Sequence, residues 1–335
     1  MINYIQKKKV NYNAVEKYLN ISKNANHYTN NGPVKRLLEE KLSEMIGLPQ
    51  GKKVLCASNG TTALHAFMFY CDQISGWSSQ KWASPAFTFP SCAVNKSNTD
   101  IYDIDSKTFT IDEYYANRYD GVIITNLFGT VIPFNKQCKF LVYDNASSFM
   151  SKNANGVNIS LMGDVSFSSL HHTKTLGFGE GGFLVLDDSL YDEIQKILGF
   201  GFNDNRDYKR LSSNFKMSDV SAAFILQHLD SYDIQKHLNI QEQFVNRLSG
   251  KENYKLFNYS DGVFYGNLPV VFRYNSTIKY FRDNGIEVNK YYKPLDNLSN
   301  SNRLYNKIIN FPLHEDITEQ QIDIICESIE SYACN

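Results

Sequence analysis

VSFSSLHHTKTLGFGEGGFLVLD (165–187) decides how this chain is read. Its two ends, VSFSSL and FLVLD, have the length and apolar character of buried strands. Between them lies a loop rich in Ser, His, Thr and Gly that carries one lysine, Lys174. Outward from it, the apolar runs KFLVYD (139–144), GVIITNLFG (121–129) and KVLCA (53–57) alternate with helical patterns such as ALHAFMFYC. Strands alternating with helices predict an α/β domain built on a mainly parallel sheet.

Flanking segments complete the outline. A short helix is expected around Asn13–Leu19, followed by a polar loop. PVKRLLEEKLSEMIG (33–47) reads as an amphipathic helix, opened by Pro33 and closed by Gly47. From Ser218 a long helical stretch runs to Gly250. Beyond it, short strands (YKLFNY, VFYGNLPVVF) and two helices (TIKYFRDN, ITEQQIDIICESIESY) predict a smaller C-terminal α+β domain. The expected division is 1–235 for the large domain with its N-terminal segment and 236–335 for the small one. The stretch 199–217 is long, polar and aromatic, as a lid or intersubunit loop would be.

Composition narrows the function. A formal net charge of −1 over 335 residues offers nothing to a nucleic acid or an anionic membrane. No run approaches the eighteen apolar residues of a membrane span. The N-terminus lacks the apolar core of a signal peptide. The cysteines at 56, 71, 92, 138, 326 and 334 show no CxxC pairing, which suits a reducing compartment, and the cytoplasm is the expected location. No metal-ligand spacing stands out.

Four features could form one site. Ser58-Asn59-Gly60-Thr61-Thr62 lies between a strand and a helix. It reads either as a phosphate cradle at a helix N-terminus or as an ordinary turn with a Thr N-cap. Phe89, in SPAFTFPS, could stack on a flat ring or pack in the core. Asp144 ends a strand, where it could face a ligand or cap a following short helix. Ser169 could bond a phosphate, His171 could orient a ligand, and His172 reads as surface. The amine of Lys174 could form a Schiff base with an aldehyde cofactor such as pyridoxal 5′-phosphate (PLP), whose pyridine nitrogen needs an acidic partner. Taken in order along the chain, these parts match what a PLP fold requires.

The segments YTNNGPVKRLLEEKL, SNGTTAL, SPAFTFPSCAV, DIYDID, YDNAS, GDVSFSSLHHTKTLGFGEGG, NFKMSDVSAA, GIEVNKYYKPL and FPLHEDITEQQ resemble the DegT/DnrJ/EryC1/StrS aminotransferases that act on nucleotide-linked keto-sugars. The resemblance implies the aspartate aminotransferase-like (type I PLP) fold. It implies that Lys174 holds the cofactor and shuttles the proton, and that Asp144 pairs with the ring nitrogen. It places Phe89 on the ring and Gly60, Thr61 and Ser169 on the phosphate, with His171 beside the cofactor. Asn214 would reach the phosphate from the neighbouring subunit of a homodimer, and Thr29 and Asn30 would lie near the sugar.

The chain departs from the family in places. Ser147 stands where the family has Gln or His against the ring hydroxyl, and Lys216 replaces an arginine. The segment between Gly129 and Asp144 is shorter than usual, and so is the whole chain. Lys174 argues against the branch that carries histidine there and dehydrates sugars. The implied reaction converts a nucleotide-linked keto-deoxysugar (4-keto-6-deoxy first, 3-keto close behind) to the amino sugar, with L-glutamate as donor. Transamination of another cyclic ketone, an inosose or an antibiotic precursor, stays open. So does a PLP-binding paralogue without turnover.

Overall fold

A computed structural model describes residues 1–93, 98–201 and 211–334. Val94 of the SPAFTFPSCAV segment and positions 202–210 of the stretch 199–217 lie outside the described residues. In chain order the elements are α1 (Tyr12–Ala25), α2 (Pro33–Ile46), β1 (Lys52–Ala57), α3 (Gly60–Ile74), β2 (Trp82–Pro85), β3 (Thr99–Tyr102), α4 (Glu113–Ala116), β4 (Gly121–Thr125), β5 (Phe140–Asp144), β6 (Val165–Ser169), β7 (Gly182–Asp187) and α5 (Asp188–Leu198). There follow α6 (Asp219–Ser231), α7 (Ile234–Leu248), β8 (Tyr254–Leu256), β9 (Leu268–Phe272), α8 (Lys279–Asp283), α9 (Ser299–Lys307), β10 (Ile308–Phe311) and α10 (Glu319–Cys334).

Seven strands form one sheet in the order β1-β7-β6-β5-β4-β2-β3. Strands β2 to β6 run parallel to their neighbours, whereas β7 is antiparallel to both β6 and β1. The sheet is therefore mainly parallel, as expected, with one reversed strand. Because β7 is reversed relative to both neighbours, β1 points the same way as β6. The C-terminal ends of β1, β5 and β6 thus share one edge of the sheet. The β6–β7 connection, which carries Lys174, turns back at that same edge.

Alternation along the strands sorts side chains into layers. Leu55, Ala57, Leu184 and Leu186 pack with Ala63 and Phe67 of α3 and Ile194 and Ile197 of α5. Their neighbours Val54, Cys56, Phe183 and Val185 pack on the other face, with Val34, Leu38 and Leu42 of α2 and Leu226 of α6. Strands β4 and β5 are buried at every position, as parallel strands covered on both faces must be. The smaller three-stranded sheet, β10-β9-β8, is antiparallel. It shares a core with α7, α8 and α10 through Phe244, Phe281 and Ile325, and Ile2 from the opposite end of the chain joins that core.

Local chemistry sets the element ends. Gly47 takes a left-handed φ of 70° at the end of α2, and its N–H bonds the Glu44 carbonyl. The start of α2 has no cap of its own. Asp219 of α6, fully buried, accepts from the backbone N–H of Val34 at 3.1 Å and of Lys35 at 2.9 Å. A Cβ on Gly32 would collide with that carboxylate.

Several expectations need correction. The first helix extends to Ala25, well past Leu19. The stretch from Ser218 is two helices, because Tyr232 turns extended and Asp233 caps α7, its side chain accepting from the Lys236 N–H at 2.9 Å. Helices α5 and α9 and strand β10 were not anticipated. Among the described residues, no helix is long and apolar enough to cross a membrane.

Candidate active site

Three strand ends and one loop converge on a cavity of about 560 Å³. Gly60, Thr61, Asp144, Ser169, His171, Lys174 and Phe89 all line it. The site lies outside the carboxyl ends of parallel strands, where open α/β sheets bind ligands.

At the end of β1, Asn59 caps α3. Its side chain accepts from the Thr62 N–H at 2.9 Å, and the Thr62 hydroxyl accepts from the Asn59 N–H at 3.2 Å. The cap is thus Asn59, whereas the turn reading had placed a Thr there. The reciprocal pair leaves Gly60 and Thr61 at the first helical positions, on the cavity wall, where backbone N–H groups and the helix dipole favour an anion. A Cβ on Gly60 would sit 3.2 Å from the Ser168 carbonyl and 3.4 Å from the Ser169 Cβ, so glycine keeps the cradle open beside Ser169.

Asp144 ends β5 and is 2% exposed. No helix follows it. Its carboxylate accepts from the Ala146 N–H at 2.8 Å, and the Cys92 thiol lies 3.8 Å from its other oxygen. Burial pushes its pKa up to about 6, against the opposing pull of the Ala146 N–H and the Lys174 charge. Burial lowers the pKa of Lys174, and Asp144 raises it. The two groups therefore restrain each other's titration across the cavity.

The lysine loop is held by its own backbone. The Lys174 N–H bonds the His171 carbonyl at 2.8 Å, and the Gly177 N–H bonds the Lys174 carbonyl at 3.0 Å. The His171 ring nitrogen Nδ1 pairs with the Thr173 hydroxyl at 2.8 Å, and Nε2 lies 3.5 Å from Glu180. His172 is exposed, as expected. Phe89 is 53% exposed, so its ring belongs to the cavity wall and not to the core.

Ser147 lines a smaller adjoining cavity of about 110 Å³, together with Phe89, Lys174 and Tyr292. Other expected residues lie apart. Asn214 is exposed and is not on the wall of the Lys174 cavity, its side chain accepting from Lys216 Nζ at 2.6 Å. Asn30 lines a separate cleft of about 790 Å³ with Phe200 and Lys216, and Thr29 is exposed and lines neither this cleft nor the Lys174 cavity. Reading the sequence missed Tyr292 and Lys8, which reach the Lys174 region from the two ends of the chain. Only the polar-aromatic run NKYYKPL hinted at the first, and nothing local hinted at the second.

These residues fit PLP. A buried carboxyl, an amine of lowered basicity, an exposed aromatic face and a helix N-terminus kept open by glycine surround one space of adequate size. Among the described residues, no group of three or more His, Cys, Asp or Glu side chains could hold a metal ion.

Residues 10–251 match the model of the DegT/DnrJ/EryC1/StrS aminotransferase family. The chain belongs to that family. Protein Rv3402c of Mycobacterium tuberculosis is 30% identical over 62% of the chain, and the match spans 55% of that relative's length. The dTDP-4-amino-4,6-dideoxy-D-glucose transaminase of Shigella dysenteriae is 24% identical, over 93% of this chain and 94% of its own. In fold, the DegT/DnrJ/EryC1/StrS chain is similar to a Streptococcus pneumoniae protein described as a sugar aminotransferase, solved in its PLP form. The TM-score is 0.82 at 18% identity, with 99% of each chain covered.

Proposed function

We propose that the protein is a PLP-dependent aminotransferase that converts a nucleotide-linked keto-deoxysugar into the amino sugar. One observation carries the reading. Lys174 and Asp144 face one cavity that also receives the N-terminus of α3. L-Glutamate is the proposed donor. The sugar carbonyl carbon gains the amino group and a hydrogen, while the donor's α-carbon loses both and becomes the carbonyl of its 2-oxo acid. Relatives named for a 4-amino-4,6-dideoxy sugar favour a 4-keto-6-deoxy acceptor over a 3-keto one.

PLP, when bound, supplies an electron sink for charge developing at the carbon that bears nitrogen. The chain's own residues do the rest. Gly60, Thr61 and Ser169 would hold a phosphate dianion through N–H and hydroxyl donors. Asp144 would favour positive charge on a ring nitrogen held beside it, and Phe89 would offer a flat apolar face. Lys174, its basicity lowered by burial, would carry the proton between the substrate carbon that bears nitrogen and the cofactor carbon beside it. Asn214 lies off its own cavity, and Asn30 and Lys216 border another cleft. That arrangement supports a homodimer in which these side chains serve the neighbouring site.

The absorption spectrum of purified protein supplied with PLP tests the reading. A visible band that bleaches on adding L-glutamate supports cofactor, lysine and donor together. Amino-sugar formation from a panel of dTDP-, UDP- and GDP-linked keto-sugars then identifies the acceptor. No band, or a band indifferent to every amino donor, overturns the reading.

A further inference from the structure

The first eleven residues form no helix, yet they are bound along their length. Ile2 exchanges backbone hydrogen bonds with Gly285 and Glu287, and the Tyr4 N–H donates to the Glu287 carboxylate at 2.9 Å. His314 Nε2 donates to the Asn3 carbonyl at 3.1 Å, and Gln6 Nε2 donates to Glu315 at 2.8 Å. The Asn11 N–H donates to Gln227 of α6. Fixed on both sides, the segment lays Tyr4, Gln6 and Lys8 along the small cavity that Lys174 also lines.

Lys8 turns inward from this segment. Its Nζ donates to the Lys174 carbonyl at 2.6 Å, to the Thr175 carbonyl at 3.4 Å and to the Gly177 carbonyl. Three carbonyls of one tight loop thus meet the three N–H donors of one ammonium. His228 of α6 lies 3.3 Å from the same nitrogen and donates through Nε2 to the Thr175 carbonyl at 2.9 Å. The loop has little slack elsewhere. A Cβ on Gly177 would strike the backbone of Leu170 and His171. Burial pushes the pKa of Lys8 down to about 7, while donating to three carbonyls favours the charged form.

We propose that Lys8 is a positioning residue for Lys174: the N-terminal segment inserts one ammonium into the carbonyls of the lysine loop and so sets where the Lys174 amine stands. Lys8 touches only the backbone of the reactive residue, so its effect passes through geometry. The proposal rests on the reading of Lys174 as the reactive amine. It goes beyond that reading by making the start of the chain a working part of the site.

The test compares Lys8→Met, which keeps length and loses every donor, with Lys8→Arg, which keeps charge and donors. Amide hydrogen exchange of 170–179 is measured on the cofactor-free proteins, and kcat and KM on the loaded ones. In Lys8→Met, exchange is expected to accelerate in 170–179, kcat to fall roughly tenfold or more, the scale on which ångström misplacement of a reacting group acts, and KM to stay near the wild-type value. Lys8→Arg recovers part of both losses. Unchanged exchange, or unchanged kcat, in Lys8→Met overturns the proposal. If Lys8→Met does not fold, Lys8→Gln carries the same readouts under the same criteria. Wild-type protein that forms no visible band with PLP sinks the reading of Lys174 instead. The exchange arm then decides on its own whether Lys8 anchors the loop.

Discussion

The hydroxyls of Ser147 and Tyr292 meet at 2.8 Å, across 145 positions of sequence. Tyr292 is further fixed by its ring, stacked on Phe128 at 5.4 Å and set edge-on to Phe87 at 5.9 Å. The pair ties the loop after Asp144 to the C-terminal part of the chain at the edge of the Lys174 cavity. Ser147→Ala and Tyr292→Phe should each weaken the fold. Their double mutant should lose less than the sum, by about 0.5–1.5 kcal/mol, the net worth of one hydrogen bond. Urea unfolding of the four proteins measures this, and strictly additive losses would show that the pair contributes nothing.

Lys174→Ala should leave the cavity and the fold in place and remove the proton carrier. Turnover should drop by roughly 10²–10⁴-fold or more, the usual contribution of a positioned acid–base group. Far-ultraviolet circular dichroism should be unchanged. A variant that turns over at the wild-type rate would move the reaction to another amine.

Asp144 carries a pH signature in the cofactor-free protein. Its pKa is raised by burial to about 6 from an unfolded value of 3.8, so the folded chain holds the proton more tightly. Its contribution to stability is fully present below pH 3.8 and is lost as pH rises through 6. Asp144→Asn escapes this loss. The melting temperatures of wild type and Asp144→Asn should be close near pH 4 and diverge in favour of Asn by pH 7. The span is on the order of 2–3 kcal/mol, the pull of the Lys174 charge being already contained in that pKa. The same variant should be strongly impaired in turnover. A melting difference that does not vary with pH would mean that Asp144 is ionised at no cost.

Gly182 begins β7 beside the α3 cradle. A Cβ there would strike the backbone of Asn59 and Gly60, including the Asn59 carbonyl at 2.7 Å. Backbone cannot swing aside as a side-chain tip can, so Gly182→Ala should cost about 1–3 kcal/mol or more. It should also displace the first turn of α3, weakening affinity for pyridoxal phosphate measured by equilibrium dialysis. Wild-type stability and affinity together would show that β7 can shift freely.

Local sequence carries the elements around the Lys174 cavity. The lysine loop announced itself because Ser, His, Thr and Gly between two apolar strands leave few other structures for the chain to adopt. Asp144 stands out in sequence because a carboxylate that ends an apolar run needs either a ligand or a cap, and in the structure it lines the cavity. The break between α6 and α7 stayed hidden, since Asp233 reads as an ordinary polar face until its side chain is seen on the Lys236 N–H. Helix α9, SNSNRLYNK, buries only Ser301 and Leu304 and so lacks an apolar stripe. Lys8, Tyr292 and the Asp219 cap were illegible for a single reason. Each acts on a partner more than a hundred positions away, and only the folded topology brings them together.

The order of the sheet also governs when the protein can assemble. Strand β1 pairs only with β7 among the described strands, and α2 receives its cap from residue 219. A ribosome adding roughly 5–20 residues per second therefore leaves the first strand and the second helix unfinished until well over half of the chain has been made. Strand β1 is thus made early and paired late, and until β7 follows it presents an open edge to any other chain.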